Sequence, residues 1–169
     1  MPIISFDIQP VTTTADLYTV VSLAARIWQP TYGGILSAAQ LNYMFDRTYS
    51  LAALEEVQAS GQAFYLLKEA GEAIGFASWS MWQTPAVPKL NKLYVLPSLH
   101  RRGAGRWLLQ RIEAMVAEKG YERLQLCVNI DNPAHTFYER CGYTVIRRED
   151  FPFDHFWMND YVMERVLRS

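Results

Sequence analysis

Hydrophobic and polar positions along the chain change their spacing after the first 60 residues or so. A short apolar stretch at residues 3–8 predicts a strand, and apolar side chains then recur every three or four positions, which indicates helices. Capping residues predict three helix starts: Thr13 with Asp16, Ser37 with Gln40, and Ser50. Pro30 and the Gly33–Gly34 pair are expected to break the first helix, and Gly61 to end the third.

From residue 62 onward, the pattern becomes mainly that of strands. Residues 62–70 and 72–82 flank a short turn at Gly71, which predicts a β-hairpin. The later elements are a strand at 89–96, a helix at 103–119, a strand at 122–130, a helix at 133–141, and closing strands at 143–149 and 156–167. This order predicts a mixed α/β sheet rather than a doubly wound one, in a single domain spanning residues 1–169.

Composition narrows the classes of function. The 169 residues carry a net charge of -1 and are 50% hydrophobic, which argues against a general nucleic-acid or membrane-surface partner. No run of 18 apolar residues and no signal peptide are found, and Cys127 and Cys141 form neither a CxxC pair nor a disulfide framework. We therefore expect a cytoplasmic protein without a metal site, in which any anion site is local.

One such site is indicated where Gly103 and Gly105 open a helix beside Arg101, Arg102 and Arg106. Free N–H groups and the helix dipole favour an anion at a helix N-terminus, glycines let the backbone approach it, and arginines add charged hydrogen bonds. The alternative is a turn with solvated arginines. A Walker loop and a Rossmann fingerprint are both excluded, because no Gly-Lys-Ser/Thr and no third glycine follow.

A second motif gives this loop its context. The loop follows Val95 and Pro97 as His-Arg-Arg-Gly-Ala-Gly, and Asn-Pro-Ala-His-Thr-Phe-Tyr-Glu-Arg-Cys-Gly-Tyr follows at residues 132–143. Together, over residues 88–145, they resemble the GNAT superfamily of N-acetyltransferases. The resemblance implies a mostly antiparallel central sheet of about seven strands flanked by helices, with a parallel pair at the cofactor site. It also implies acetyl-CoA as cofactor, and direct acetyl transfer to a primary amine.

The resemblance also implies how the cofactor binds. A strand backbone pairs with the pantetheine, and Val95 donates its amide to the thioester carbonyl. The loop holds the pyrophosphate, although the family's Gln/Arg position is His100 here. Asn132 and Phe137 contact the pantetheine, and Arg140 reaches the outer phosphate or the adenine. The implied cofactor residues are Leu93, Tyr94, Val95, His100, Arg101, Arg102, Gly103, Ala104, Gly105, Arg106, Asn132, Phe137, Tyr138 and Arg140.

Within this resemblance, Tyr138 is the expected general acid that protonates the CoA thiolate. The general base is open. Family members often carry a glutamate on the strand before the loop, whereas residues 89–92 here read Lys-Leu-Asn-Lys. The substitutes are His155, which enters our site prediction, Asp154 and Asp160, or water alone. His135 is expected to be exposed, and Cys141 to be a small buried thiol rather than a nucleophile.

Substrate recognition is assigned to the segment after the first helix and to the turn between the closing strands. Trp28 and Tyr32 are the predicted substrate residues. They belong to an expected aromatic wall, with carboxylates nearby, that suits an aliphatic cation. The other members of this site are Tyr94, Phe153, Trp157, Glu149, Asp150 and Asp154.

Residues 26–41 and 160–165 look like a GNAT branch related to polyamine acetyltransferases, so the acceptor is expected to be a polyamine-like small molecule or an exposed protein amine. A non-catalytic acyl-CoA sensor is the main alternative, and a nucleotide- or RNA-binding module is a weaker one. A homodimer through the closing strands is left open.

Overall fold

The computed structural model describes residues 5–83, 86–99, 102–154 and 156–167. Its elements in chain order are β1 (Phe6–Pro10), α1 (Thr14–Tyr32), α2 (Ala38–Tyr49), α3 (Leu51–Ala59), β2 (Ala63–Glu69), β3 (Glu72–Trp82), β4 (Val87–Val95), a 3-10 turn (Pro97–Leu99), α4 (Ala104–Glu118), β5 (Arg123–Asn129), α5 (Ala134–Arg140), β6 (Thr144–Phe153) and β7 (Phe156–Val166). None of the helices in this part of the chain is long and apolar enough to cross a membrane.

The strands of the described residues form one seven-stranded sheet in the order β1-β2-β3-β4-β5-β7-β6. Every neighbouring pair is antiparallel except β4 and β5, which run parallel. The predicted mixed sheet with one parallel pair is therefore confirmed. The hairpin of β2 and β3 is also confirmed, with Ala70 and Gly71 at positive φ in its turn.

The predicted helix caps are present. Thr13 and Asp16 form a complete capping box at the start of α1, and Ser37 and Ser50 accept backbone N–H groups at the starts of α2 and α3. The break expected at Pro30 is wrong, because α1 continues through Pro30 to Tyr32. A proline this close to a helix end removes one backbone hydrogen bond, and burial of the preceding turn holds the last residues helical.

Helices cover both faces of the sheet at β4. Tyr94 contacts Tyr32 of α1, whereas the next side chain, Val95, lies close to Gly105 of α4. Because successive side chains on a strand point to opposite faces, α1 and α4 lie on opposite sides of β4. The end of β4 is thus enclosed between two helices.

Gly75 of β3 fixes how closely β3 approaches the end of β4. A Cβ atom at this position would lie 2.4 Å from the carbonyl oxygen of Tyr94, and 3.2 Å from Val95 Cγ2. We expect Gly75→Ala to lower the free energy of unfolding by about 1–3 kcal/mol, because backbone must move to accept the methyl group.

Urea denaturation measures this effect, with Gly34→Ala as the matched control. A Cβ atom at Gly34 meets no heavy atom within 4 Å. A Gly75→Ala protein as stable as the Gly34→Ala protein would contradict the expected clash.

Candidate active site

Strands β4 and β5 lie side by side at one end only. Their parallel register contains two pairs, Lys89 with Gln125 and Leu90 with Leu126. Over residues 91–94, β4 has no register partner among the described residues of β5. Backbone groups on that edge of β4 are therefore placed to pair with an extended ligand.

A β-bulge accounts for the separation. The register between β3 and β4 slips after Ser78, and Asn91 is the extra residue on β4. The Asn91 side chain donates a hydrogen bond from Nδ2 to Ser80 Oγ at 2.8 Å. Because a bulge bends its strand and increases the local twist, it turns β4 away from β5 and opens a cleft between them.

The N-terminus of α4 lies beside this cleft. Gly103 is the N-cap, with a φ of 80° in the left-handed region that favours glycine. Ala104 is buried, and a Cβ atom at Gly105 would lie 3.6 Å from Phe137 Cζ and 4.0 Å from Val95 Cγ2. The first turn of α4 is thus held between the end of β4 and α5, which gives its N–H groups a fixed position.

The arginines of the loop differ in what they contact. Arg102 donates a 2.6 Å hydrogen bond to Glu69 of β2, so its guanidinium is paired with a carboxylate in this structure. The cofactor roles predicted for His100 and Arg101 fall on residues outside those described.

A cavity of about 230 Å³ lies between α4 and the end of α5, and Arg106 and Arg140 both line it. Its floor contains Glu113, which is 7% exposed and accepts hydrogen bonds from Tyr143 at 2.7 Å and from Arg165 at 2.8 Å. This buried network ties α4 to the start of β6 and to β7. Arg106 and Arg140 are placed together, as a phosphate-contacting pair requires.

Asn132 is buried and shapes the start of α5. Its Oδ1 accepts the backbone N–H of Ala134 at 2.9 Å, and its carbonyl oxygen lies 2.8 Å from His135 Nδ1. The His135 ring packs against Tyr161 and is half-buried, so the expectation that His135 is exposed is wrong. The reason is that Tyr161 of β7 covers one side of the His135 ring.

Tyr138 is buried and packs against the rings of Phe137 and Tyr143. Burial raises the pKa of the Tyr138 phenol well above its usual range, and the nearby charge of Tyr32 adds to the shift. The phenol is therefore protonated at any working pH. It has a proton to give, as a general acid needs.

Two further phenols converge with Tyr138. The hydroxyl groups of Tyr32 and Tyr94 lie 2.7 Å apart, and Trp28 packs against Tyr32 with ring centroids 4.9 Å apart. The pKa of Tyr32 and the pKa of Tyr94 are both raised, mainly by burial. All three hydroxyls are neutral, and each of Tyr32 and Tyr94 interacts electrostatically with Tyr138.

Comparison with known proteins identifies the protein family that has this arrangement. Residues 23–143 match the family model described as "Acetyltransferase (GNAT) family". The chain belongs to the GNAT acetyltransferase family. The resemblance inferred from the sequence is thereby confirmed, and so are the acyltransferase class and acetyl-CoA as cofactor.

Individual GNAT proteins resemble the chain along different lengths. An uncharacterized N-acetyltransferase of Mycobacterium tuberculosis is 33% identical over 107 residues, which is 63% of this chain and 68% of that protein. Spermidine N(1)-acetyltransferase of Thermoplasma acidophilum is 26% identical over 160 residues, or 91% of this chain and 93% of that protein. The crystal structure of PaiA N-acetyltransferase from Thermoplasma acidophilum in complex with coenzyme A has a TM-score of 0.79 at 25% identity, and covers 96% of this chain and 99% of that one.

The three candidates for the base of this GNAT protein differ in their surroundings. Asp154 accepts a 2.6 Å hydrogen bond from Tyr43 and is 3.3 Å from Arg47, so it is held at the surface by α2. His155 lies outside the described residues. Asp160 is half-buried, and within the described structure its Oδ1 is buried without a hydrogen-bond partner. Burial raises the pKa of Asp160 to about 6.

Lys92 carries a partly buried amine that the sequence pattern did not single out. Its Nζ donates to Gln62 Oε1 at 3.1 Å and lies over the rings of Tyr49 and Phe64. Burial lowers the pKa of Lys92 to about 8. The side chain lies on the strand where many family members place a glutamate, one residue after the bulge at Asn91.

The residues of the predicted aromatic wall do not lie together: some belong to the core and others are exposed. Trp28 is 7% exposed and belongs to the core beneath Tyr32, whereas Trp157 is 65% exposed. The sequence analysis missed Tyr43, which packs against Phe156 with ring centroids 5.6 Å apart and joins α2 to the β6–β7 turn. Of the two predicted substrate residues, Tyr32 lies beside the cleft and Trp28 supports it from behind.

The cysteines have no nucleophilic character. Cys141 is buried, and burial raises the pKa of its thiol. Burial also raises the pKa of Cys127 to about 11. Because the thiolate is the reactive form, neither residue is suited to carry an acetyl group. This agrees with the expected role of Cys141 as a small buried thiol.

Proposed function

We propose that this GNAT acetyltransferase transfers acetyl directly from acetyl-CoA to a primary amine, on a polyamine-like small molecule or on an exposed protein amine. The observation that carries the proposal is the cleft between β4 and β5, with the N-terminus of α4 beside it. An extended thioester can pair with the β4 edge while its phosphates reach the helix N-terminus.

In the proposed complex, Leu93, Tyr94 and Val95 pair with the pantetheine as an added strand. The backbone of residues 102–106 cradles the pyrophosphate, and Arg106 and Arg140 contact phosphate from the shared cavity. Asn132 faces the pantetheine with the donor end of its amide, because Oδ1 is used at α5. Phe137 packs against the arm close to Gly105.

Acetyl transfer then requires three events. The acceptor ammonium loses a proton, its nitrogen attacks the thioester carbonyl, and the leaving thiolate takes a proton. Tyr138 supplies the last proton. Its raised pKa keeps the phenol protonated, and the burial that raises this pKa would also raise the pKa of a thiol bound beside it, so the proton can move to the leaving sulfur. Because Tyr138 is buried, a thiolate that forms beside it would be poorly solvated and would be stabilised by taking the phenol's proton.

The acceptor class is supported by two observations. The relative that matches 91% of the chain is a spermidine N(1)-acetyltransferase. Beside the cleft, Glu149 of β6 lies opposite Asp160 of β7, which places two carboxylates on one face of the sheet. Carboxylates near aromatic rings suit an aliphatic cation.

A non-catalytic acyl-CoA sensor is the second candidate. It is favoured by one observation, the presence of Lys92 rather than a carboxylate on β4. Turnover separates the two candidates. The single domain over residues 1–169, the cytoplasmic location and a homodimer through the closing strand at residues 156–167 stay predictions, although β7 lies between β5 and β6 rather than at the sheet edge.

Calorimetric titration with acetyl-CoA, with ATP and NAD as controls, tests the cofactor site. We expect Gly103→Glu to weaken acetyl-CoA binding by tenfold or more, because it sets an anion where the pyrophosphate is proposed to bind. Gly120→Glu is the matched control, since Gly120 also has a positive φ and open space but lies at the other end of α4. Equal affinities in the two variants, or equal binding of all three nucleotides, would contradict the site.

Release of CoA thiol during incubation with spermidine tests the reaction. Acetyl-spermidine formed in proportion to the released thiol supports the transferase. Tight acetyl-CoA binding without acetylation of spermidine, other polyamines or lysine peptides would favour the sensor instead.

A further inference from the structure

We infer that Asp160 is the carboxylate that binds the acceptor ammonium and takes its proton. This rests on the proposed acetyl transfer and adds the proton acceptor that β4 does not provide. It also narrows the acceptor to an amine that arrives as a cation.

The position of Asp160 in the sheet is the first support. Asp160 of β7 pairs with Asn129, the last residue of β5, at the end where β5 has separated from β4. The neighbouring Tyr161 contacts His135 of α5. Because side chains alternate between faces, Asp160 points to the opposite face, where α1 places Tyr32. Its charge contributes to the raised pKa of Tyr32, so the two groups lie close together.

The second support is the state of the carboxylate itself. Oδ1 is buried and, among the described residues, accepts no hydrogen bond. A buried carboxylate oxygen without a donor is costly, and an ammonium group relieves that cost with a charged hydrogen bond. The raised pKa of about 6 leaves the carboxylate ionised at neutral pH, and basic enough to accept a proton.

The charged groups near Asp160 have partners of their own, so none of them is better placed for this role. Arg147 of β6 is held by Glu149. Lys89 of β4 lies 4.3 Å above the ring of Trp82, and Asp150 is 3.6 Å from Arg148. The titratable and charged groups around Asp160 are Lys89 on β4, Cys127 on β5, Arg147, Glu149 and Asp150 on β6, and Tyr32 on α1. Tyr32 has a pKa raised well above its usual range and stays protonated, so it cannot act as the base.

The proton and bond changes balance. Asp160 takes one proton from the ammonium, and the neutral nitrogen attacks the acetyl carbonyl. The C–N bond forms, the C–S bond breaks, and the sulfur takes the proton of Tyr138. The amide nitrogen then loses a second proton, which restores Tyr138 through solvent. Asp160 releases its own proton to water, which completes the cycle.

The test is the pH dependence of kcat/KM for spermidine between pH 5 and 9. For wild type we expect a fall below a pH of about 6 and a plateau above it, because ionised Asp160 and the ammonium form of the amine coexist there. Asp160→Asn should lower kcat/KM by about 10- to 100-fold at pH 7.5. It should also replace the plateau by a rise with pH toward the amine pKa of about 10, because only neutral amine then reacts. Asp160→Glu should keep the plateau at a lower rate.

Glu164→Gln is the matched control, with the same charge change on the same strand, and it should keep the wild-type profile. An unchanged acetyl-CoA Kd shows that Asp160→Asn is folded. Lys92→Met should also retain the break near pH 6, since a lysine base would place the break near 8. If the plateau survives in Asp160→Asn, the inference about Asp160 is wrong and the proposed function is unaffected. If the wild-type protein acetylates no amine, both the inference and the proposed function are wrong.

Discussion

Tyr138→Phe should lower kcat by roughly tenfold to a thousandfold and leave the Kd for acetyl-CoA within about twofold of wild type. The ring is buried against Phe137 and Tyr143, and phenylalanine keeps both contacts. The substitution therefore removes one hydroxyl proton and little else. On the proposed mechanism, the leaving thiolate then lacks its proton donor.

Steady-state kinetics beside calorimetry measure the two quantities separately. Tyr143→Phe is the control, because it removes a neighbouring buried phenol whose hydroxyl bonds Glu113 rather than serving the cleft. It should cost stability but keep kcat. Equal kcat values for wild type and Tyr138→Phe would remove Tyr138 from the mechanism.

Lys92→Met should raise the free energy of unfolding at pH 7 by about 2 kcal/mol. The pKa of Lys92 falls from 10.5 to about 8 on folding, mainly because burial disfavours the cation. A shift of that size means that the charged Lys92 destabilises the fold by about 3 kcal/mol at pH 7. Losing the hydrogen bond to Gln62 costs about 1 kcal/mol, so the expected net gain is about 2 kcal/mol. Methionine keeps a similar length without the charge.

The sign of the pH dependence follows from the direction of the shift. Between pH 8 and 10.5 the unfolded chain binds more protons than the folded one, so the contribution of Lys92 to stability rises with pH there. The advantage of Lys92→Met is then greatest below pH 8 and shrinks toward pH 10.5. Urea denaturation at several pH values measures this advantage, with Lys119→Met, at the C-terminal end of α4, as the control. An advantage that stays constant with pH would contradict a Lys92 pKa lowered by burial.

Much of the fold was accessible from the sequence because its signals are local. The capping box at Thr13 and the turn at Gly71 each depend on a few adjacent residues, and both are present. Pro30 was misjudged because local propensity favours a break there, whereas buried contacts of the last turns of α1 keep it helical.

Only part of the site could be predicted from the sequence, because some of its properties depend on contacts between distant segments. The motif around Gly103 and Asn132 located the region of the proposed cofactor contacts, since each lies in one short segment. Asp160 and Lys92 acquire their properties from burial between elements distant in sequence. The pairing of Arg102 with Glu69 is likewise a long-range contact that no spacing rule predicts.

The short contact between β4 and β5 also affects how the sheet holds together. Strands β1 to β4 form one antiparallel block and β5 to β7 another, and the two blocks share two register pairs, whereas all other neighbouring strands share at least five. The sheet thus has its weakest seam where the cofactor is proposed to bind. A pantetheine paired with β4, as proposed, would fill that seam. Part of its binding free energy would then stabilise the contact between the two blocks. We expect local opening along the seam to be more frequent in the empty enzyme than in the enzyme that holds the cofactor.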